Sequence, residues 1–361
     1  MYVFEEPFYI CGQVLDESDE KQESGGWFIR SDDEEDMSMV NIDLSHLHQF
    51  SLFSGKIVAM KGTNKDGSLF VPSEIFEPAK MQLSSIVNKS VVDQLSIWCA
   101  CGPFTSNDTL SYEQLYDLLS LVKQQKPNIL ILMGPFVDRS SKAVLSPQFN
   151  MKFYDLFENL LLKISAMMED TSTKLVLIPS FKKDATVLPI FPCASFDVRP
   201  ECKKILSKNI TFARDPSQLR INGVNVAITN SEIIQTLSRF EVYKSETQDE
   251  HRMQRIISHL FSQRSLYPLY PAPSDTAQRI DETIRECSLS CIPHIMIMPS
   301  MLSPMIQVID GCLCINPGIL VRGSSGTFME MNIDMKMIQS AETDQHNCSI
   351  ADYCEIKILR I

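Results

Sequence analysis

Apolar and polar positions change rhythm near residue 95. Before it, "FYICGQVLDE", "GGWFIRS", "MVNIDLSHL" and "GKIVAMKGTNKDGSLFVPSEIFE" show period-two character between turn residues, the signature of half-buried strands. Lys65-Asp66-Gly67 punctuates the last stretch as a hairpin. Short strands with Gly-rich turns predict a small OB-type β-barrel over residues 1–80. Residues 81–95 read as a connector, and 96–361 as a second domain.

In that second region the period alternates between two and 3.6. "LSIWCACG", "NILILMG", "KLVLIPS", "HIMIMPS" and "CLCINPG" read as strands, the apolar runs of a buried sheet. "SYEQLYDLLSLVKQQ" predicts an amphipathic helix with Leu115, Leu118, Leu119 and Val122 on one face and Ser111 as its cap. "MKFYDLFENLLLKISAMMED" and "HRMQRIISHLFSQ" predict two more helices. "LRINGVNVAITNS" reads as a hairpin or a bent strand, and "GTFMEMNIDMKM" with "CEIKILRI" as a closing β pair. "RGSSGTF" (322–328) is glycine-rich but lacks a lysine and a following helix, so a hairpin turn is expected rather than a phosphate loop. Alternating strands and helices closed by β structure imply a layered α/β (α+β) fold.

Charge narrows the function classes. The 361 residues carry 33 Lys and Arg against 45 Asp and Glu, a net charge of −12. That balance opposes a protein whose main work is gripping a phosphate backbone. Acidic clusters at Asp16, Glu17, Asp19, Glu20 and Glu23, and at 32–36 ("DDEED"), sit in barrel loops where a single-strand binder needs basic charge. Trp27, Phe28 and Phe50 could stack bases but are expected in the barrel core. Eleven cysteines, with no signal-like N-terminus and no apolar run long enough to span a bilayer, suggest free thiols in a reducing compartment. Cys99/Cys101 and Cys312/Cys314 would put their thiols on one strand face, a core pattern more than a zinc pattern.

Catalysis in layered α/β folds is placed at the C-terminal ends of strands. Those ends read Cys101-Gly102-Pro103, Gly134-Pro135-Phe136-Val137-Asp138, Pro179-Ser180, Pro299-Ser300 and Asn316-Pro317-Gly318. A two-metal phosphoesterase needs a cluster of Asp, His and Asn there. Only Asp138 and Asn316 qualify, with Asp108 and Asp184 in nearby loops. The six histidines, His46, His48, His251, His259, His294 and His346, are placed elsewhere; His294 begins its strand instead of ending it. No nucleophile elbow, Walker A or dinucleotide fingerprint occurs.

"CGPFTSNDTLSYEQLYDLLSLV", "ILILMGPFVD", "LVLIPSFKKDA", "QRSLYPLYP" and "GCLCINPGIL", with "FSLFSGKIVAMKGTNKDGSLFVPSEIFE" in the barrel, resemble the B subunits of replicative DNA polymerases, most closely the polymerase alpha members. The resemblance implies an OB barrel and a calcineurin-like phosphoesterase sandwich that has lost its metal ligands. Gly134-Pro135-Phe136-Val137-Asp138 then stands for an altered G-D-x-x-D element, Pro179-Ser180 for G-N-H, and Asn316-Pro317-Gly318 for the final G-H-x-H. The helical domain and linker that family members carry ahead of the barrel are not in this sequence.

The resulting expectation is a nuclear, non-catalytic scaffold without cofactor or metal. Its partners would be the C-terminal domain of the polymerase alpha catalytic subunit and, through the complex, primase. DNA would be contacted only indirectly, and no membrane. Arg264, Tyr267, Pro268 and Tyr270 are the candidate partner contacts, since Tyr and Arg are enriched at interface hot spots; the alternative is that this segment packs on its own domain. Three other readings stand beside it: the B subunit of polymerase delta or epsilon, a residual phosphoesterase using Asp138, Asp184 and Asn316, and a single-strand DNA binding module.

Overall fold

Asp66 sets the first recognisable piece of structure. Its Oδ1 accepts the backbone N–H groups of Ser68 and Leu69, and Gly67 takes a left-handed φ of 79°, so the chain reverses between two eight-residue strands. The computed structural model describes residues 4–16, 26–31, 39–86, 92–246, 251–323, 326–341 and 349–361. The acidic stretches 17–25 and 32–38, His346, and Ser324-Ser325 of the glycine-rich loop lie outside them.

The elements begin with β1 (Phe4–Asp16), β2 (Trp27–Arg30), β3 (Met39–Ile42), β4 (Phe50–Leu52), β5 (Ile57–Asn64) and β6 (Leu69–Phe76). Next come β7 (Gln94–Cys101), α1 (Glu113–Gln125), β8 (Ile129–Met133), α2 (Lys142–Leu145), α3 (Phe153–Met168), β9 (Lys174–Ile178), β10 (Ile190–Phe191), α4 (Pro200–Ile205) and β11 (Ile210–Phe212). Then follow β12 (Ser217–Ile221), β13 (Val224–Ile228), α5 (Ile233–Phe240), β14 (Val242–Lys244), α6 (Arg252–Ser262), β15 (Ala277–Gln278) and α7 (Ile280–Cys287). The last are β16 (Ile295–Ile297), β17 (Met305–Ile309), β18 (Cys312–Asn316), β19 (Thr327–Asp334), α8 (Met335–Ala341) and β20 (Cys354–Arg360).

Strands β1, β2, β3, β6 and β5 close into a barrel in that order, with β3 and β6 parallel and the other pairs antiparallel. Trp27, Phe28 and Phe50 are all buried, and Trp27 and Phe50 join Val14, Ile29, Val58, Met60 and Phe70 in the core. Trp27 and Phe50 are core packing, as expected, while Phe28 is buried without being part of that core cluster.

The barrel unit also takes residues 234–274 and 288–290. This departs from the expectation of a second domain running unbroken from 96 to 361. The reason is pairing across distant sequence: β14 lies antiparallel to β4, Val242 opposite Leu52. Behind it Glu241, Arg255 and His259 are buried together, with Glu241 Oε1 2.7 Å from Arg255 Nε, 3.1 Å from His259 Nε2 and 2.6 Å from Ser51 Oγ. Burial works to raise Glu241, but hydrogen bonds from His259, Arg255 and Ser51 hold it down at about 2.

The second unit holds residues 83–233, 275–287 and 291–361. Its six-stranded sheet runs β11-β9-β8-β7-β19-β20, parallel from β11 to β7 and antiparallel beyond; its five-stranded sheet runs β12-β13-β16-β18-β17. Ile97, Cys99, Ile131 and Met133 from the first sheet meet Val226, Ile228, Ile295, Ile297, Leu313 and Ile315 from the second in one apolar layer. The outer face of the first sheet, Trp98, Leu130, Leu132, Leu175 and Leu177, is covered by α1 and α3. Full burial on both faces explains why β8 reads as an unbroken apolar run.

Helix α1 buries Leu115, Leu118, Leu119 and Val122 as its spacing predicts. Its N-cap is Tyr112 in the left-handed region, not Ser111; the Tyr112 hydroxyl donates to the Phe136 carbonyl at 2.8 Å, and that tertiary bond fixes where the helix starts. "LRINGVNVAITNS" is the β12–β13 hairpin. The 322–328 stretch is not a hairpin between neighbouring strands, because β18 belongs to one sheet and β19 to the other.

Candidate functional site

Among the described residues seven strands end on one rim: β7, β8, β9 and β11 from the first sheet, β13, β16 and β18 from the second. After β8 the chain runs Gly134-Pro135-Phe136, and Phe136 goes inward. Its ring centroid lies 4.9 Å from Phe104, 5.4 Å from Phe196 and 5.9 Å from Phe157. The turn after β8 is therefore held by aromatic packing, worth about 0.5–1.5 kcal/mol per pair beyond area burial.

Asp184 occupies the middle of this rim and is fully buried. Its Oδ1 accepts N–H bonds from Phe136 and Val137, and its Oδ2 accepts one from Ser180 at 2.7 Å. Burial raises this carboxyl to about 7, against the pull of the three amides. The side chain thus ties the turn after β8 to the turn after β9. Gly134 makes room for it: a Cβ there would lie 2.1 Å from Asp184 Oδ2.

The other candidate ligands are similarly engaged. Asn316, fully buried, accepts the Ser300 and Gly318 N–H groups at Oδ1, both at 2.9 Å, and donates from Nδ2 to the Leu302 and Ser303 carbonyls. Asp138 Oδ1 accepts from the N–H and the hydroxyl of Ser140. Asp108 is exposed and 3.5 Å from Lys142. His294 lies at the opposite strand end, its Nδ1 accepting the Asn225 N–H at 2.9 Å, while His259 is buried beside Glu241 in the other unit. Among the described residues, no three His, Cys, Asp or Glu side chains are arranged to hold a metal ion. The oxygens of Asp184 and Asn316 already accept backbone N–H bonds, which competes with holding a pair of cations.

Two residues on this rim escaped the sequence reading. Asn230, after β13, donates from Nδ2 to the Gly134 carbonyl (2.9 Å) and the Pro179 carbonyl (3.3 Å), joining the two sheets. Its backbone N–H donates to Asp215 Oδ1 at 2.8 Å, and Asp215 is fully buried with its carboxyl raised by burial to about 7. The signal for Asn230 was present: "VNVAITNS" is another strand ending in polar residues. Asp215 gave none, since nothing local marks a buried aspartate. The cleft left among Cys101, Gly134, Ser180, Lys183, Asn230 and Ser300 is about 40 Å3, room for a water or so.

Of the proposed partner contacts, Tyr267 is 4% exposed and faces inward between buried Leu266 and Leu269. Arg264 is exposed; its carbonyl accepts the Leu289 N–H. Pro268 and Tyr270 are half-buried. Tyr270 is tied by its backbone to Ser54, and its ring lies 5.3 Å from the Arg30 guanidinium. The segment braces its own unit and leaves Arg264 and one side of Pro268 and Tyr270 toward solvent.

Residues 97–307, more than half the chain, match the family model for the B subunits of DNA polymerases alpha and epsilon. The chain belongs to this family. Residues 3–78 match the model for the OB domain of the DNA polymerase alpha B subunit, which coincides with the closed barrel. B subunits of DNA polymerase alpha from several organisms are similar over most of the chain. The one from Caenorhabditis elegans is 34% identical over 359 residues, 98% of this chain and 60% of the relative. That from Mus musculus is 30% identical, covering 90% and 54%, and that from Saccharomyces cerevisiae 26%, covering 81% and 48%. The chain thus spans about half to three fifths of the length of these relatives. A solved archaeal phosphodiesterase covers 74% of the chain at 10% identity with a TM-score of 0.34, too distant to carry an argument. No helix among the described residues is long and apolar enough to cross a membrane.

Proposed function

We propose that the chain is a non-catalytic scaffold of a nuclear DNA polymerase alpha complex. It would bind the C-terminal domain of the catalytic subunit, join it to primase, and support initiation of replication. Family membership carries this reading, with the barrel and the second unit matched by separate family models. The rim supports it: Asp184, Asn316 and Asn230 bond to backbone and hold loops in place, which is the work of braces in a scaffold. Arg264, Pro268 and Tyr270 are the solvent-facing part of the partner surface in this reading. The barrel's buried Trp27, Phe28 and Phe50, with the net charge of −12, favour indirect contact with DNA over stacking on single strands.

Co-expression with the C-terminal domain of a polymerase alpha catalytic subunit tests it. A stable complex on gel filtration is expected, weakened about tenfold or more by Arg264→Ala with Tyr270→Ala. Two results overturn it: no complex, or manganese-dependent phosphodiester cleavage that disappears in Asp184→Ala. Capture by a delta or epsilon catalytic tail instead would move the scaffold to that complex.

A further inference from the structure

A second cavity of about 220 Å3 opens beside the rim, sharing Ser300 and Ile319 with the small cleft. Among the described residues five chain segments line it: Ser300 with Leu302 and Pro304, Gly318 with Ile319, Arg322, Gly326 with Thr327, and Arg360 at the end of β20. Its shape is built in. Gly318 takes a left-handed φ of 73°, and a Cβ on it would lie 2.3 Å from Thr327 Oγ1 and 2.9 Å from Pro304 Cγ, so only glycine lets these walls meet. Thr327 Oγ1 donates to the Pro317 carbonyl, and Ser300 Oγ accepts the Leu302 N–H, which leaves the Ser300 hydroxyl proton to donate elsewhere.

The charge is unbalanced. Arg322 and Arg360 both line the cavity, and neither forms an ion pair with a described residue. Both arginines are exposed; in a chain with twelve more acidic than basic residues, two guanidinium groups at one small cavity, with no carboxylate among its described lining residues, offer an outside anion a place to bind. Guanidinium forks match the oxygens of phosphate in bidentate geometry, and two of them balance a dianion. The cavity is smaller than the roughly 300–1,000 Å3 of sites that enclose drug-sized ligands, so it suits a compact anion.

We propose that this cavity is a binding site for a phosphoryl dianion, held by Arg322 and Arg360 with the Ser300 hydroxyl as a further donor. The assignment is independent of the scaffold reading and needs no other protein. Calorimetric titration of the full chain with inorganic phosphate and with O-phosphoserine tests it, using acetate and glutamate as carboxylate controls. Saturable phosphate binding is expected, weakened at least about tenfold by Arg322→Gln or Arg360→Gln and retained in Arg220→Gln, an exposed arginine outside the cavity lining. Arg322→Lys and Arg360→Lys keep the charge and should bind at intermediate strength. Phosphate alone would assign a free-ion site; phosphoserine as well would assign a phosphomonoester site. The proposal is overturned if phosphate does not bind, if carboxylates bind as tightly, or if folded Gln variants, checked by circular dichroism, bind like wild type.

Discussion

Gly134→Ala should be among the most damaging small substitutions in the molecule, for a reason local to the rim. Gly134 lies outside the left-handed region, so alanine meets no backbone strain there. What it meets is Asp184: the new methyl would sit 2.1 Å from Oδ2 and 2.9 Å from the Ser180 nitrogen. Carbon needs about 3.5 Å for ordinary contact, so the carboxylate must retreat by more than about 1 Å. It cannot do so and keep the Ser180 N–H at 2.7 Å, or the Phe136 and Val137 N–H bonds on its other oxygen. Each buried amide left without a partner costs about 1–3 kcal/mol. Losing one or two of the three, with some overpacking strain of about 1 kcal/mol, gives an expected destabilisation of about 3–5 kcal/mol. That is a large share of a typical stability of about 5–15 kcal/mol. Urea unfolding followed by circular dichroism measures it.

A double-mutant cycle isolates the cause. Asp184→Ala is costly alone because it leaves three amides without their acceptor. In that background, Gly134→Ala should cost less than about 1 kcal/mol, a coupling of about 2 kcal/mol or more. Additive costs, or a Gly134→Ala protein within about 0.5 kcal/mol of wild type, would show that the carboxylate is not what the glycine makes room for.

Two further substitutions test buried charge. Asp215 has a carboxyl raised by burial from 3.8 to about 7, so its stabilising contribution is complete below 3.8 and is lost as pH rises to about 7. Wild type should therefore lose stability relative to Asp215→Asn by up to about 1.4 kcal/mol per pH unit in that window; parallel pH profiles from thermal melts would refute it. Arg255→Met should cost about 3–5 kcal/mol by leaving Glu241 buried against His259, and Glu241→Met added to it should recover part of the loss. A loss below about 1 kcal/mol, the range of an exposed pair, would count against that network.

The legible parts of this fold are those whose cause is local. Leu115, Leu118, Leu119 and Val122 fall on one face of α1 because 3.6 residues make a turn, whatever surrounds the helix. Asp66-Gly67 makes a hairpin because a side-chain oxygen and a left-handed glycine act within four residues. The parts misread have causes far away in sequence. Residue 51 lies 190 positions before residue 241, and no pattern around either announces the Ser51–Glu241 bond that helps bind 234–274 to the barrel unit. Tyr112 rather than Ser111 begins α1 because of a carbonyl 24 residues away. Tyr267 looked like an interface residue because composition cannot separate a tyrosine offered to a partner from one filling its own core.

The same distinction governs the rim. That none of the residues directly following the strands is a histidine can be read from the sequence order. That Asp184 and Asn316, both available by residue type, are consumed by five backbone amides depends on where Phe136, Val137, Ser180, Ser300 and Gly318 place their N–H groups. A carboxylate or carboxamide becomes a ligand or a brace according to the donors that reach it first. At this rim the backbone reaches them first, and the substitutions that open it, Gly134→Ala above all, should show up as lost stability before they show up in any chemistry.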